Sequence, residues 1–188
     1  RASNVAFLEA DAASCSFSPE YDLIFSCFGV MFFVDPVAAF RNIRKSMAKG
    51  GRLAFVCWRG VEENEWVSLP WKAARPLLPE QKPVRSDAPG PFAFADRERV
   101  ETILREAGFS DVGFERFDGL MDLGRSPDKA GFQVTQLMGP TMRALRDADG
   151  ETRAKVEEAV REALASHLAR TGHIRLGIAC WLVSARAG

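Results

Sequence analysis

The run from Tyr21 to Phe33, YDLIFSCFGVMFF, together with the residues after it, constrains the fold more than any other part of the chain. Leu23 to Val34 is apolar apart from Ser26 and Gly29, yet it falls short of the roughly 18 to 20 residues that cross a bilayer. Its flanks identify Leu23 to Phe28 as a buried strand. SCSFSPEYD before it supplies loop residues, and Asp35 and Pro36 after it suit the N-cap and first position of a helix. Val37, Phe40, Ile43, Arg44 and Met47 then recur at spacings of three and four, as the inward stripe of that helix does. Gly50 and Gly51 are expected to end the helix, and RLAFVCW reads as a second buried strand. Strand, helix and strand within about 35 residues is the size of a parallel crossover unit, which predicts α/β architecture.

The same reading extends along the chain. Val5 to Ala10 reads as a further interior strand, and Val112 to Phe117 and Ile174 to Ala185 as two more. Asp96 is positioned to cap a helix whose apolar face carries Val100, Ile103, Leu104 and Ala107, closed by Gly108. Residues 59–95 form a proline-rich excursion with one helix expected between Trp66 and Leu78. Ser126 to Thr171 is helical in pattern, broken at Gly139 and Pro140 and again at Asp147 to Gly150. The chain therefore reads as core at 1–58, 96–117 and 174–186, with lid or substrate insertions at 59–95 and 118–173.

Composition narrows the function classes. A hydrophobic content of 47% over 188 residues is enough for a sizeable core, which excludes disorder as the overall description. Twenty-five basic residues balance twenty-five acidic ones, so no net field favours nucleic acid or anionic lipid. Cys15, Cys27, Cys57 and Cys180 are widely spaced and lack a CxxC pattern. They predict free thiols in a reducing, cytoplasmic setting, with no structural zinc. His167 and His173 are expected to be exposed or capping, and neither is assigned as a base.

In open α/β sheets ligands meet the chain beyond the carboxyl ends of the strands. That places Asp11 and the residues from Ser26 to Val30 nearest a small molecule. Phe28 and Met31 offer apolar faces to a ring or a sulfonium, and Gly29 permits a sharp turn or a close approach. Each of these residues also has a structural reading, Asp11 as a turn former and the aromatics as core.

The run YDLIFSCFGVMFFVDPVAAFRNIRKSMAKGGRLAFVCW resembles the central and carboxyl half of class I S-adenosylmethionine-dependent methyltransferases, in particular the group related to quinone-biosynthesis enzymes. Tyr21, Asp22, Asp35, Phe40, Ile43, Arg44, Gly50, Gly51 and Leu53 match the family pattern at its spacing. Met47, Ala48 and Lys49 stand where the family usually has leucine, arginine and proline. LEADAAS resembles the ending of the family's third strand, with Asp11 and Ala12 in the places that approach adenine.

The resemblance implies a doubly wound Rossmann-like sheet with a final antiparallel strand and helical lid insertions, lacking its first βαβ part. The expected cofactor is S-adenosylmethionine, held by Asp11, Ala12, Ser26, Cys27, Phe28, Val30 and Met31. Phe32, Trp58, Arg59, Asn64 and Trp66 are expected to face the substrate, a small molecule, and no metal is implied. The family's glycine-rich loop and its ribose-binding acidic residue precede the third strand. The chain is therefore expected to be the tail of a protein longer by roughly 60 to 100 residues, about one βαβ unit plus a helix. Neither nucleic acid nor membrane is an expected partner, and a homodimer is left open. A noncatalytic binding or dimerisation module on the same fold is the alternative. A nucleotide-dependent oxidoreductase fits less well, because the closing strand follows a helical block and Gly50-Gly51 opens a strand.

Overall fold

The computed structural model describes residues 4–17, 21–79, 88–137 and 139–188. Among them, four strands form one mixed sheet: β1 (Tyr21–Cys27), β2 (Met47–Trp58), β3 (Phe109–Asp122) and β4 (Arg175–Ala187), in the order β1-β2-β4-β3. β1 runs parallel to β2, with Leu23 opposite Arg52 and Cys27 opposite Val56. β4 is antiparallel to both neighbours, facing β2 from Arg52↔Arg186 to Trp58↔Cys180 and β3 from Phe109↔Ala187 to Asp122↔Arg175. Residues 175–179 of β4 pair with β3 alone, so the last two strands continue past the end of β2 as a two-stranded ribbon.

The crossover between β1 and β2 is helix α1 (Pro36–Lys45), set by the expected cap: Asp35 Oδ1 accepts from the Ala38 amide at 2.9 Å. Asp96 does the same for α3 (Arg97–Glu106), accepting from the Glu98 and Arg99 amides. Both helices lie on one face of the sheet. There Leu53, Phe55 and Cys57 of β2 and Val183 and Ala185 of β4 meet Phe40, Ile43, Val100 and Leu104. Phe40 is the centre of this core, fully buried and within ring-contact distance of Phe33, Phe55, Phe94 and Phe109.

A second core lies under the inserted helices. α2 (Glu65–Ala74) and α4 (Pro127–Phe132) each pack against the long α6 (Gly150–Thr171), burying Trp66, Val67, Ala130, Val156, Val160 and Leu164 with Ile174 and Leu176 at the start of the ribbon. A five-residue π-helical segment, Gln133–Leu137, follows α4, and α5 is Gly139–Leu145. α6 ends on Gly172 at φ +73°, whose amide bonds the Leu168 carbonyl at 2.7 Å, a left-handed closure that glycine makes without steric cost. Trp58 packs against both cores and joins them.

The structure corrects several expectations. Val5 to Ala10 is not a strand: Phe7 is 96% exposed and Leu8 72%, with no described strand alongside to take their backbone hydrogen bonds. Strand pairing in β2 begins at Met47, so Gly50, at φ +73°, and Gly51 lie inside the strand segment rather than ending the helix. β3 runs from Phe109 to Asp122, longer than Val112 to Phe117, because the ribbon carries it beyond the sheet. His167 is buried between α6 and α2, with Nδ1 3.1 Å from Arg170 Nη2 and 3.8 Å from Glu65 Oε1. His173 is half-buried, 3.3 Å from Asp122 Oδ1. Part of the proline-rich excursion, 80–87, lies outside the described residues, as does Met138.

Candidate active site

A mainly apolar cleft of about 500 Å³ runs along the outer strand β1, lined by Tyr21 and by Leu23, Ile24, Phe25 and Ser26, and on to the turn after it. Ala12 and Phe17 of the amino-terminal loop form one wall, Ser26, Gly29, Val30 and Phe33 another, and Ile24, Ile43 and Leu53 the floor. Consecutive residues of β1 from Leu23 to Ser26 line it, and successive side chains alternate between the faces of a strand, so the cleft follows the outer edge of β1 rather than one face of the sheet.

The loop is fixed to the cleft by its own hydrogen bonds. Asp11 Oδ1 accepts from the Ala13 amide at 2.9 Å and Oδ2 from Ser14 Oγ at 3.0 Å, while the Asp11 carbonyl accepts from the Cys15 amide at 2.8 Å. Asp11 is thus a turn former in this structure, with its carboxylate exposed at the rim. Asn42 of α1 ties the loop down, donating to the carbonyls of Cys15 at 2.8 Å and Ala12 at 3.3 Å. Nothing in the helical stripe marks Asn42 for this role; only its polar position beside Ile43 could have drawn attention to it.

After β1 the chain reverses over four residues. The Phe28 amide still bonds the Val56 carbonyl at 3.2 Å, so the ladder reaches residue 28. Phe28 then takes φ +56° and Val30–Phe32 forms a single 3-10 turn. Gly29 closes the turn: a Cβ there would come within 3.1 Å of Ser26 Oγ. A side chain at that position would press on the Ser26 hydroxyl beside the cleft.

The expected cofactor residues divide accordingly. Ala12, Ser26 and Val30 line the cleft, and Asp11 stands at its rim. Cys27 is exposed at the end of β1. Phe28 turns its ring away onto Trp58, with centroids 4.3 Å apart and planes 20° apart. Met31 is 1% exposed in the first core, its carbonyl accepting from the Gly90 amide, which fixes the chain past the turn.

The expected substrate residues divide too. Phe32 is exposed, and Trp58 is half-buried between Phe28 and Trp66. Asn64 is fully buried and bonded only to protein. Its Nδ2 donates to the carbonyls of Arg59, Gly60 and Ala179, and its Oδ1 accepts from the Ala179 amide and Trp66 Nε1. Trp66 is therefore anchored rather than presented. Arg59 is 2% exposed, ion-paired with Glu63 and Asp118, and its guanidinium lies 5.4 Å from the centre of the Trp181 ring. The hydrogen bond from Arg59 is the main reason the Glu63 carboxyl sits below its ordinary range, with Arg116 adding to the effect. These three residues build the framework around Trp58; the structure does not bring them to the cleft.

Among the described residues, no group of three or more histidine, cysteine or carboxylate side chains is arranged to hold a metal ion. No helix among them is long and apolar enough to cross a membrane.

Residues 1–55 match the family model described as "Methyltransferase domain". Among curated proteins no sequence match was found. Among solved structures, a Bacillus halodurans C-125 protein assigned as a methyltransferase superposes with a TM-score of 0.53 at 15% identity, covering 97% of this chain and 78% of that one. The YcgJ protein of Bacillus subtilis gives 0.53 at 12% identity, covering 97% and 71%. Phosphoethanolamine N-methyltransferase 2 of Haemonchus contortus gives 0.41 at 14% identity, and this chain spans 36% of its length. Residues 1–55 thus carry a methyltransferase-domain match, and the chain as a whole has the mixed α/β fold of the Rossmann-like methyltransferases.

Proposed function

We propose that the chain acts in S-adenosylmethionine-dependent methyl transfer to a small molecule, within the group related to the quinone-biosynthesis methyltransferases. The observation that carries this reading is the cleft along β1 and the turn after it, lined by Ala12, at a place the family pattern marks, and by Ser26 and Val30, where the chain leaves the strand. Its chemistry fits an adenosyl group. Apolar walls accept the faces of a base, the Ser26 hydroxyl and the Asp11 carboxylate supply polar partners at the edge, and Gly29 keeps the turn clear of Ser26. When bound, the cofactor supplies an electrophilic methyl on a sulfonium that is already a good leaving group.

What remains for the chain is alignment, and holding two partners in register removes much of the barrier. The tether from Asn42 to the Ala12 loop keeps one wall in place, and the ladder bond from Phe28 to Val56 keeps the other. The inserted helices over Trp58 and Trp66 form the side from which the acceptor enters. All four cysteines are free, in keeping with a reducing, cytoplasmic setting. Calorimetric titration of the full-length protein with S-adenosylhomocysteine tests the proposal. Saturable binding is expected, weakened by Ala12→Asp, which puts a charge on an apolar wall. No detectable heat up to millimolar ligand would overturn it.

A further inference from the structure

Residues 4–17 lie against the protein without joining its sheet. Within them, residues 11–15 fold on themselves. The Asp11 carbonyl accepts from the Ser14 and Cys15 amides at 3.2 and 2.8 Å, and its carboxylate accepts from the Ala13 amide and Ser14 Oγ. These bonds fix the shape of the turn and leave its placement on the protein to something else.

Asn42 supplies the placement. Among the described residues, two hydrogen bonds join residues 4–17 to the rest of the chain, and both come from Asn42 Nδ2, to the Cys15 carbonyl at 2.8 Å and the Ala12 carbonyl at 3.3 Å. One carboxamide nitrogen thus uses both of its hydrogens to clamp the turn at two points. Asn42 stands on α1, whose Phe40 and Ile43 are buried in the first core, so the base of the clamp is fixed. Ala12 and Phe17 on the clamped side and Ile43 on the helix side all line the cleft, whereas Asn42 itself does not.

We propose that Asn42 is a positioning residue for the adenosyl end of the cofactor, setting its affinity through the Ala12 and Phe17 wall without touching the ligand. This rests on the methyl-transfer reading above. A wall that is free to leave is in place for only a fraction of the time, and the apparent affinity falls by that fraction. Asp11, Ser14 and Ser16 are exposed, so the loss of the clamp is felt as local opening of the turn rather than as unfolding of the domain.

The test uses full-length protein and two readouts. In calorimetric titration, S-adenosylhomocysteine should bind Asn42→Ala about three- to thirtyfold more weakly than the wild type, the range of one to two hydrogen bonds. Asn42→Asp keeps the size of the side chain, but its ionised carboxylate has no hydrogen to donate to the two carbonyls, so at pH 8 it should weaken binding at least as much as alanine. The second readout follows the turn without ligand. Cys15 lies in the clamped turn, and exposed Cys27 at the end of β1 serves as the internal reference. In Asn42→Ala, alkylation of Cys15 by iodoacetamide, read by peptide mass, should rise about threefold or more relative to Cys27, with the thermal midpoint within about 2 °C of the wild type. Wild-type binding with unchanged affinity in Asn42→Ala, an unchanged ratio of Cys15 to Cys27 labelling, or a midpoint lowered by about 5 °C or more would each overturn the positioning role and leave the methyl-transfer reading standing. No binding of S-adenosylhomocysteine by the wild type would overturn that reading, and the role with it.

Discussion

Replacing Asn64 with alanine should be among the most destabilising single changes in this chain, although Asn64 is one polar residue in a short loop. Where β2 ends at Trp58, β4 continues, and its Ala179 needs partners on that side. The Arg59 amide donates to the Ala179 carbonyl at 3.0 Å. The Asn64 side chain supplies the rest, its Oδ1 accepting from the Ala179 amide at 2.9 Å and its Nδ2 donating to the same carbonyl at 3.1 Å. The carboxamide thus acts as one more peptide unit of β2. It also accepts from Trp66 Nε1 at 3.1 Å, which links the ladder to the second core. Alanine leaves two buried donors, the Ala179 amide and Trp66 Nε1, without an acceptor. At about 1–3 kcal/mol for each orphaned donor the loss is about 2–6 kcal/mol, a large share of the 5–15 kcal/mol typical of a domain. In urea, with a slope of about 2 kcal/mol per molar, the midpoint should fall by about 1–3 M. Asn64→Asp should be worse than alanine at neutral pH, because an ionised carboxylate cannot donate to the carbonyls of Arg59, Gly60 and Ala179 that surround it. A midpoint shift below about 0.5 M for alanine, or an aspartate variant as stable as the wild type, would refute the reasoning.

Two further outcomes follow from the charged and thiol groups. Burial pushes the Cys57 thiol up to about 12, with Cys180 nearby adding to it, and burial likewise raises Cys180 to about 11. At pH 8 only about one Cys57 in ten thousand is then thiolate, the reactive form. Iodoacetamide should label exposed Cys27 in the native protein and reach Cys57 and Cys180 only in denaturant, as read by peptide mass; equal native labelling of Cys57 and Cys27 would contradict the buried assignment. The Glu63 carboxyl is lowered below 4.5, chiefly by its hydrogen bond from Arg59. A depressed carboxyl contributes stability that is present above its unfolded value and lost as pH falls through its folded one, so the loss belongs below about pH 4.5. Glu63 is 42% exposed, which keeps the effect to about 1 kcal/mol or less. Glu63→Gln should flatten the acid limb of the stability profile, and an acid limb identical to the wild type would remove this pair from the account.

The legible parts of the fold were those whose signal is local. Asp35 and Asp96 cap their helices because a carboxylate one residue before an apolar stripe has amides within reach, whatever the rest of the chain does. The closure of the Asp96 helix at Gly108, which takes φ +92°, is equally self-contained. Val5 to Ala10 shows the limit. Its composition is that of a buried strand, but a strand needs a neighbour to bond, and composition does not say whether one is present. β3 was underestimated for a related reason. Its extension to Asp122 is dictated by β4 alongside, through pairings such as Leu120↔Gly177, in a stretch where FDGLMD carries no strong pattern of its own.

For the site, the sequence pointed to the turn after β1 and left the direction of its side chains open. Ser26, Val30 and Ala12 reach the cleft, while Met31 and Phe28, from the same turn, do not. The difference lies in one backbone angle. With an ordinary negative φ at Phe28 the chain would leave β1 in another direction, and residues 29 and 30 would fall elsewhere. No residue type announces a left-handed phenylalanine, since statistics favour glycine or asparagine there. Arg59 and Asn64 deceived in the opposite sense. Polar residues beside two tryptophans after a strand look like a binding site, and here they are spent on Glu63, Asp118, Ala179 and Trp66. Their engagement with the protein is nonetheless what immobilises Trp58, and an immobile Trp58 is the condition for Phe28 to be held against its own backbone preference. The strained turn and the polar network are therefore one construction: weakening Asn64 should loosen the aromatic stack before it disturbs the cleft.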